Sequence, residues 1–168
     1  MSMLDYCPQC GQNTIRWNNR KWSCECGFTL YHNVAGAVAV LIRYKNEILF
    51  TKRNNDPHKG KLDLAGGFVD PNESAEETCT RELWEELKLE VESASLRYIA
   101  SLPNIYHYKG IDYHTLDLFF EYELPDKPEI TPELSEISET CWISSQELRL
   151  EDLAFDSQKK FLKKYLKM

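Results

Sequence analysis

The chain has no long apolar run. A membrane-spanning helix needs about 20 consecutive apolar residues, so none is expected. Positive charge is scarce: Lys and Arg total 20 against 27 Asp and Glu, a formal net charge of −7. That argues against nucleic acid as a broad, charge-driven partner. It leaves a phosphate substrate open, because a metal and local basic groups can carry the anion. The cysteines are unevenly placed: four of the six lie at Cys7, Cys10, Cys24 and Cys26, while Cys79 and Cys141 stand alone. The first residues are polar and run into the cysteines, unlike a secretory leader. A reducing, cytoplasmic location is therefore expected, and a disulfide framework is not. What remains is ordinary for a globular protein, with 42% apolar and 28% charged residues. Its 168 residues suffice for one full core and a small appendage. They do not fix an oligomeric state, and a homodimer is compatible with them.

The stretch from Gly66 to Leu89 organises the chain. A glycine pair, Gly66-Gly67, opens it. Ser74 with Glu77 three residues later forms a capping box, which predicts a helix from there to about Leu87. At 100° per residue Glu82, Glu85 and Glu86 fall on one face, beside an apolar stripe of Cys79, Leu83 and Leu87. Bare like charges at i, i+4 cost a few tenths of a kcal/mol, and the C-terminal half of a helix favours cations. A bound divalent cation removes both objections, and magnesium prefers such hard oxygen ligands shared with phosphate. The plain alternative is a solvated acidic face.

Spacing favours the metal. Gly67, Glu73, Arg81-Glu82-Leu83 and Glu85-Glu86 stand in an order that resembles the Nudix box of hydrolases acting on nucleoside diphosphates linked to another group. The family pattern ends in a glycine and an apolar residue, whereas this chain has Lys88-Leu89. The resemblance implies an α/β fold, an α/β/α sandwich with a mixed sheet over residues 33–168. It also implies a catalytic site in which magnesium or manganese is held by Glu82, Glu85, Glu86 and the carbonyl of Gly66. By the same resemblance Arg81 pairs with Glu73 as support for the site. A general base comes from the acidic loop before Trp142, where Glu133, Glu136 and Glu139 qualify and Glu136 is preferred; Glu82 competes for that role. Nucleobases in such hydrolases often stack on aromatics near the cleft, which makes Tyr106 and Tyr108 candidates for substrate binding. Tyrosines at alternate strand positions are also ordinary sheet packing.

Near the N-terminus, Cys7-Pro8-Gln9-Cys10-Gly11 and Cys24-Glu25-Cys26-Gly27 bracket a hairpin around Asn18-Asn19. Two cysteine pairs, each followed by glycine, resemble a zinc ribbon over residues 1–32. A four-cysteine tetrahedral site has no open position, so this zinc is expected to be structural. The second pair is Cys-x-Cys where the ribbon pattern has Cys-x-x-Cys, and His32 is a substitute ligand if one thiol is not used.

Elsewhere Val34–Tyr44 and Glu47–Arg53 read as strands, Leu96–Leu102 as another, and Asn104–Glu123 as a long hairpin. A short strand follows at Thr140–Ile143. Ser144 with Glu147 reads as the start of a brief helix, and 156–168 as an amphipathic one. Ribbon followed by box resembles the NADH pyrophosphatase group, but Ser101-Leu102-Pro103-Asn104-Ile105-Tyr106 stands where that group carries a further substrate motif. The expected substrate is a nucleotide such as ADP-ribose. Hydrolysis of NADH or of NAD-capped RNA, and a non-catalytic sensor whose ribbon contacts nucleic acid or protein, are the alternatives.

Overall fold

The computed structural model describes residues 4–168. Two compact units divide between Val34 and Ala35. The first holds three short antiparallel strands, β1 (Arg16–Trp17), β2 (Lys21–Ser23) and β3 (Thr29–Tyr31). Asn18 makes the β1–β2 turn, its side-chain oxygen accepting from the N–H groups of Arg20 and Lys21 at 3.1 and 2.9 Å. Asn19 takes the left-handed conformation, with φ at 68°, which asparagine tolerates. The core of this unit is slight, with Cys7, Ile15, Trp22 and Cys24 buried together.

The second unit is built on a six-stranded sheet. Its strands are β4 (Ala35–Tyr44), β5 (Glu47–Arg53), β6 (Leu62–Asp63), β7 (Arg97–Tyr108), β8 (Ile111–Glu123) and β9 (Ile137–Ser144). The order is β6-β5-β4-β8-β7, with β9 also paired to β5. β4 and β8 run parallel while the other pairs are antiparallel, so the sheet is mixed. The unbroken apolar run of β4 is explained by cover on both faces. Val38, Val40 and Ile42 face α1 (Ala75–Leu87) through Cys79, Leu83 and Leu87. Ala39 and Leu41 join Phe119 on the other face, against Phe161 and Leu162 of α2 (Asp156–Tyr165). The Phe119 and Phe161 rings stack at 4.2 Å. The result is the α/β/α sandwich expected from the sequence.

α1 begins at the expected cap: the Ser74 hydroxyl accepts from Glu77 N–H at 3.2 Å, and the Glu77 carboxylate accepts from Ser74 N–H at 2.8 Å. Burial of Leu83 and Leu87 contributes about 1.5–3 kcal/mol each. That outweighs the few tenths lost to repulsion along the acidic face.

Three expectations need correction. The segments either side of Pro103 form one strand, β7. Because β7 is the sheet edge, the missing N–H of Pro103 breaks no ladder. The strand around Trp142 is longer, running from Ile137 to Ser144. No helix starts at Ser144, which stays paired with Glu47, and its hydroxyl binds the Glu147 side chain at 2.6 Å to close a turn.

Lys88 departs from the expected glycine yet occupies the glycine conformation, φ 56° and ψ 31°, and its N–H donates to Trp84 O and Leu83 O at the helix end. Leu89 N–H reaches back to Leu83 O to complete the cap. A side chain there costs about 1–2 kcal/mol, and glycine returns part of that gain through its freer unfolded chain. Lys88→Gly should therefore raise the thermal midpoint by about 2 °C. An unchanged or lowered melt would mean that the exposed contacts of Lys88 with Glu85 O and the Trp84 ring matter more than the backbone.

Candidate active site and metal centre

A cleft of about 840 Å³ opens among the first half of β4, the Gly66–Gly67 segment, α1 and the loop that carries Glu133 and Glu136. The glycine segment runs beside β4, with Ala65 O accepting from Val40 N–H and Gly67 O from Val38 N–H, each at 2.8 Å. Gly66 lies between these residues and donates its N–H to the Glu86 carboxylate at 3.2 Å. Gly66 is required by space, because a Cβ there would strike the Val38 carbonyl, whereas a Cβ on Gly67 would displace only the Glu82 carboxylate at the end of its flexible side chain.

The three helix carboxylates differ in surroundings. Glu85 is exposed, and Glu82 is largely covered. Glu86 sits lower, open to water through the cleft mouth but enclosed by protein. Burial, then the charges of Asp63 and Glu82, raise the Glu86 pKa well above the carboxylate range. Burial also raises Glu82, against the pull of Arg81. Arg81 lies between Glu82 and Glu85, donating to them at 2.8 and 3.0 Å. It also grips Glu73 with both Nε and Nη2, at 2.8 and 3.0 Å. Arg81, with the Thr78 hydroxyl next, holds Glu73 down to about 2. Glu73 thus fastens the loop to the helix.

Glu136 lines the cleft, and its charge acts on both Glu82 and Glu86. Tyr106 and Tyr108 line it too. Tyr106 is surrounded by other rings: Phe68 edge-on at 5.5 Å, Phe155 at 5.8 Å and Tyr108 at 6.2 Å.

In the cysteine unit, the Sγ atoms of Cys7, Cys10, Cys24 and Cys26 all lie within 4.8 Å of one another. Among the described residues this is the one His, Cys, Asp and Glu group that converges so closely. Cys7 to Cys26 and Cys10 to Cys24 are both 3.7 Å. A tetrahedron with Zn–S bonds of about 2.3 Å has edges of about 3.8 Å, so the donor set fits zinc. Thr14 Oγ1 lies 3.1 Å from Cys24 Sγ. This contact, followed by the N–H of Cys26, lowers the Cys24 thiol to about 6 and favours the thiolate that binds metal. His32 is elsewhere, packed edge-on against the rings of Trp17 and Trp22.

The NUDIX domain model matches residues 32–165. The chain belongs to the NUDIX family. It is 27% identical to the NAD-capped RNA hydrolase NudC of Vibrio parahaemolyticus over 148 residues, covering 86% of this chain and 53% of that protein. It is 42% identical to the ADP-ribose pyrophosphatase of Methanocaldococcus jannaschii over 77 residues, 46% of each chain. The chain thus spans about half the length of these relatives. Among solved structures, a NUDIX hydrolase from Nitrosomonas europaea superposes with a TM-score of 0.69 at 23% identity, covering 98% of this chain and 91% of that one. That likeness concerns the fold.

The NUDIX cleft also contains groups that the sequence reading passed over. Arg53 binds Asp63 at 2.6 Å and lies over the Phe155 ring, and Gln158 donates to the other Asp63 oxygen at 2.5 Å. Phe68, next to the glycine pair, had a local signal. Phe155 and Gln158 had none, because α2 brings them to the cleft from far along the chain.

Proposed function

We propose that the protein is a metal-dependent hydrolase of a diphosphate bond in a nucleoside diphosphate derivative such as ADP-ribose. One observation carries this reading: Glu82, Glu85 and Glu86 line a cleft in which the Gly66 N–H meets the Glu86 carboxylate. These carboxylates with the Gly66 carbonyl offer hard oxygen donors, and the raised pKa of Glu86 marks a place where a cation would be welcome. Magnesium or manganese held there would neutralise diphosphate oxygens and acidify water.

The chain's own groups do the rest. Glu136, across the cleft, takes the proton from the attacking water. Glu82 is the competing base. Arg81, anchored on Glu73, keeps α1 and the glycine loop in register. Tyr106 and Tyr108 form the wall against which a base or ribose would lie. Cys7, Cys10, Cys24 and Cys26 hold a structural zinc in a ribbon over residues 1–32, ahead of the hydrolase domain. Such thiols suit a cytoplasmic setting.

The relatives' names describe action on ADP-ribose and on NAD-capped RNA. The chemistry common to those two molecules is a diphosphate between ribosyl groups. A panel of ADP-ribose, NADH, NAD and NAD-capped RNA, assayed for nucleoside monophosphate release with magnesium and with manganese, tests the proposal. Metal-dependent release from at least one member is expected. No release from any member would favour a sensor.

A further inference from the structure

The segment bearing Glu136 is held from two sides. On one side it hangs from the end of α1: Thr131 N–H donates to Leu87 O at 3.1 Å, and Glu133 N–H to Glu86 O at 2.8 Å. Its position is thereby tied to the helix turn that carries the carboxylates. On the other side stands a dipeptide just beyond β5. Asn54 Nδ2 donates to Leu134 O, Asn55 Nδ2 to Ser135 O, and Asn54 N–H to Glu136 O, at 2.8, 2.8 and 2.7 Å. Three consecutive carbonyls leading to Glu136 are thus each bound by Asn54 or Asn55.

The ladder next to them confirms that the path is specified. Lys52 pairs with Glu139 but Arg53 pairs with Ile137, so Ser138 is an extra residue. Such a bulge re-aims the side chains beside it. The Ser138 hydroxyl closes it on Lys52 O at 3.2 Å.

We propose that Asn54 and Asn55 are positioning residues that set the Glu136 carboxylate against the acid face of α1. The inference rests on the reading of Glu136 as general base. The side-chain amides are suited to the task because they donate to carbonyls without adding charge to a cleft already rich in carboxylates. Alanine at either position removes a donor and leaves the Asn54 backbone bond in place.

The test is a cycle of variants assayed with magnesium on the fastest-cleaved member of the substrate panel. Glu136→Gln should lower kcat by about 100- to 10,000-fold. Asn54→Ala with Asn55→Ala should lower kcat by roughly 10- to 100-fold, the scale of a misplaced catalytic group, with KM within about threefold. Added to Glu136→Gln, the two alanines should cause no further loss, because groups acting through one another are not additive. Thermal melts of each variant accompany the rates. If the double variant does not fold, Asn54→Ala and Asn55→Ala alone, each deleting one bond, take its place in the cycle. The positioning role is overturned if the alanines leave kcat unchanged, or slow the Glu136→Gln enzyme as much as the parent. Wild-type turnover by Glu136→Gln would instead remove the base assignment, and the positioning role with it.

Discussion

Glu86→Gln should lower metal-dependent turnover by about 100-fold or more, on the order of 2.7 kcal/mol of barrier, and leave the fold intact. The argument starts from where the side chain lies. Glu86 is enclosed near Asp63 and Glu82, and its carboxylate meets the Gly66 N–H. Burial and the charges of Asp63, Glu82 and Glu136 oppose its ionised form. The folded-state pKa is therefore raised above the unfolded one, so ionised Glu86 opposes folding at neutral pH in the absence of a cation. Glutamine keeps the shape and removes the charge. The metal-free melting temperature of Glu86→Gln should then equal or exceed that of the parent. Added magnesium should raise the melting temperature of the parent much more than that of the variant. Parent-like turnover by the variant would reject Glu86 as a ligand. A sharp drop in its melting temperature would trace lost activity to lost structure.

The sequence made the centre of the site legible because that centre is local. A capping box, a 3.6-residue period and a glycine pair sit within one continuous stretch, and each has a direct geometric meaning: Ser74 caps, Leu83 and Leu87 point inward, and Glu82 and Glu86 line the cleft. Lys88 shows how a backbone requirement can outlast its usual residue, since the left-handed cap is retained without glycine. The sandwich was legible from β4, whose run of apolar residues demands cover on both faces. What escaped depends on distant contacts. Asp63 lines the cleft bound to Arg53 on one oxygen and, on the other, to Gln158, which arrives from α2. Pro103 reads as a strand boundary in sequence, but β7 lies at the edge of the sheet, where a missing donor is harmless. The pairing at Ser144 likewise belongs to Glu47, not to the local Ser–Glu pattern that suggested a helix.

Stripping zinc from the cysteine unit should unfold that unit while leaving the helical signal of the protein in place. Both α-helices belong to the other unit, after Ala35. Among the described residues the cysteine unit buries Cys7, Ile15, Trp22 and Cys24 as its core, with Leu4, Trp17 and Phe28 packed partly against it. A core this small does not order some thirty residues by burial alone, and a structural zinc supplies folding energy to a unit of this kind. The full chain should carry about one zinc by elemental analysis. A strong chelator under reducing conditions should remove it and shift the emission of Trp17 and Trp22, whose rings lie 4.3 Å apart. Far-ultraviolet dichroism from the helices should persist. Cys26→Ser is the sharper test, because Cys26 belongs to the irregular Cys-x-Cys pair and its Sγ lies 3.7 Å from that of Cys7. Serine offers a far poorer ligand than a thiolate, so this variant should hold zinc weakly. If it kept zinc as firmly as the parent, the fourth ligand would have to come from elsewhere, and His32 would need to leave its place against Trp17 and Trp22 to supply it.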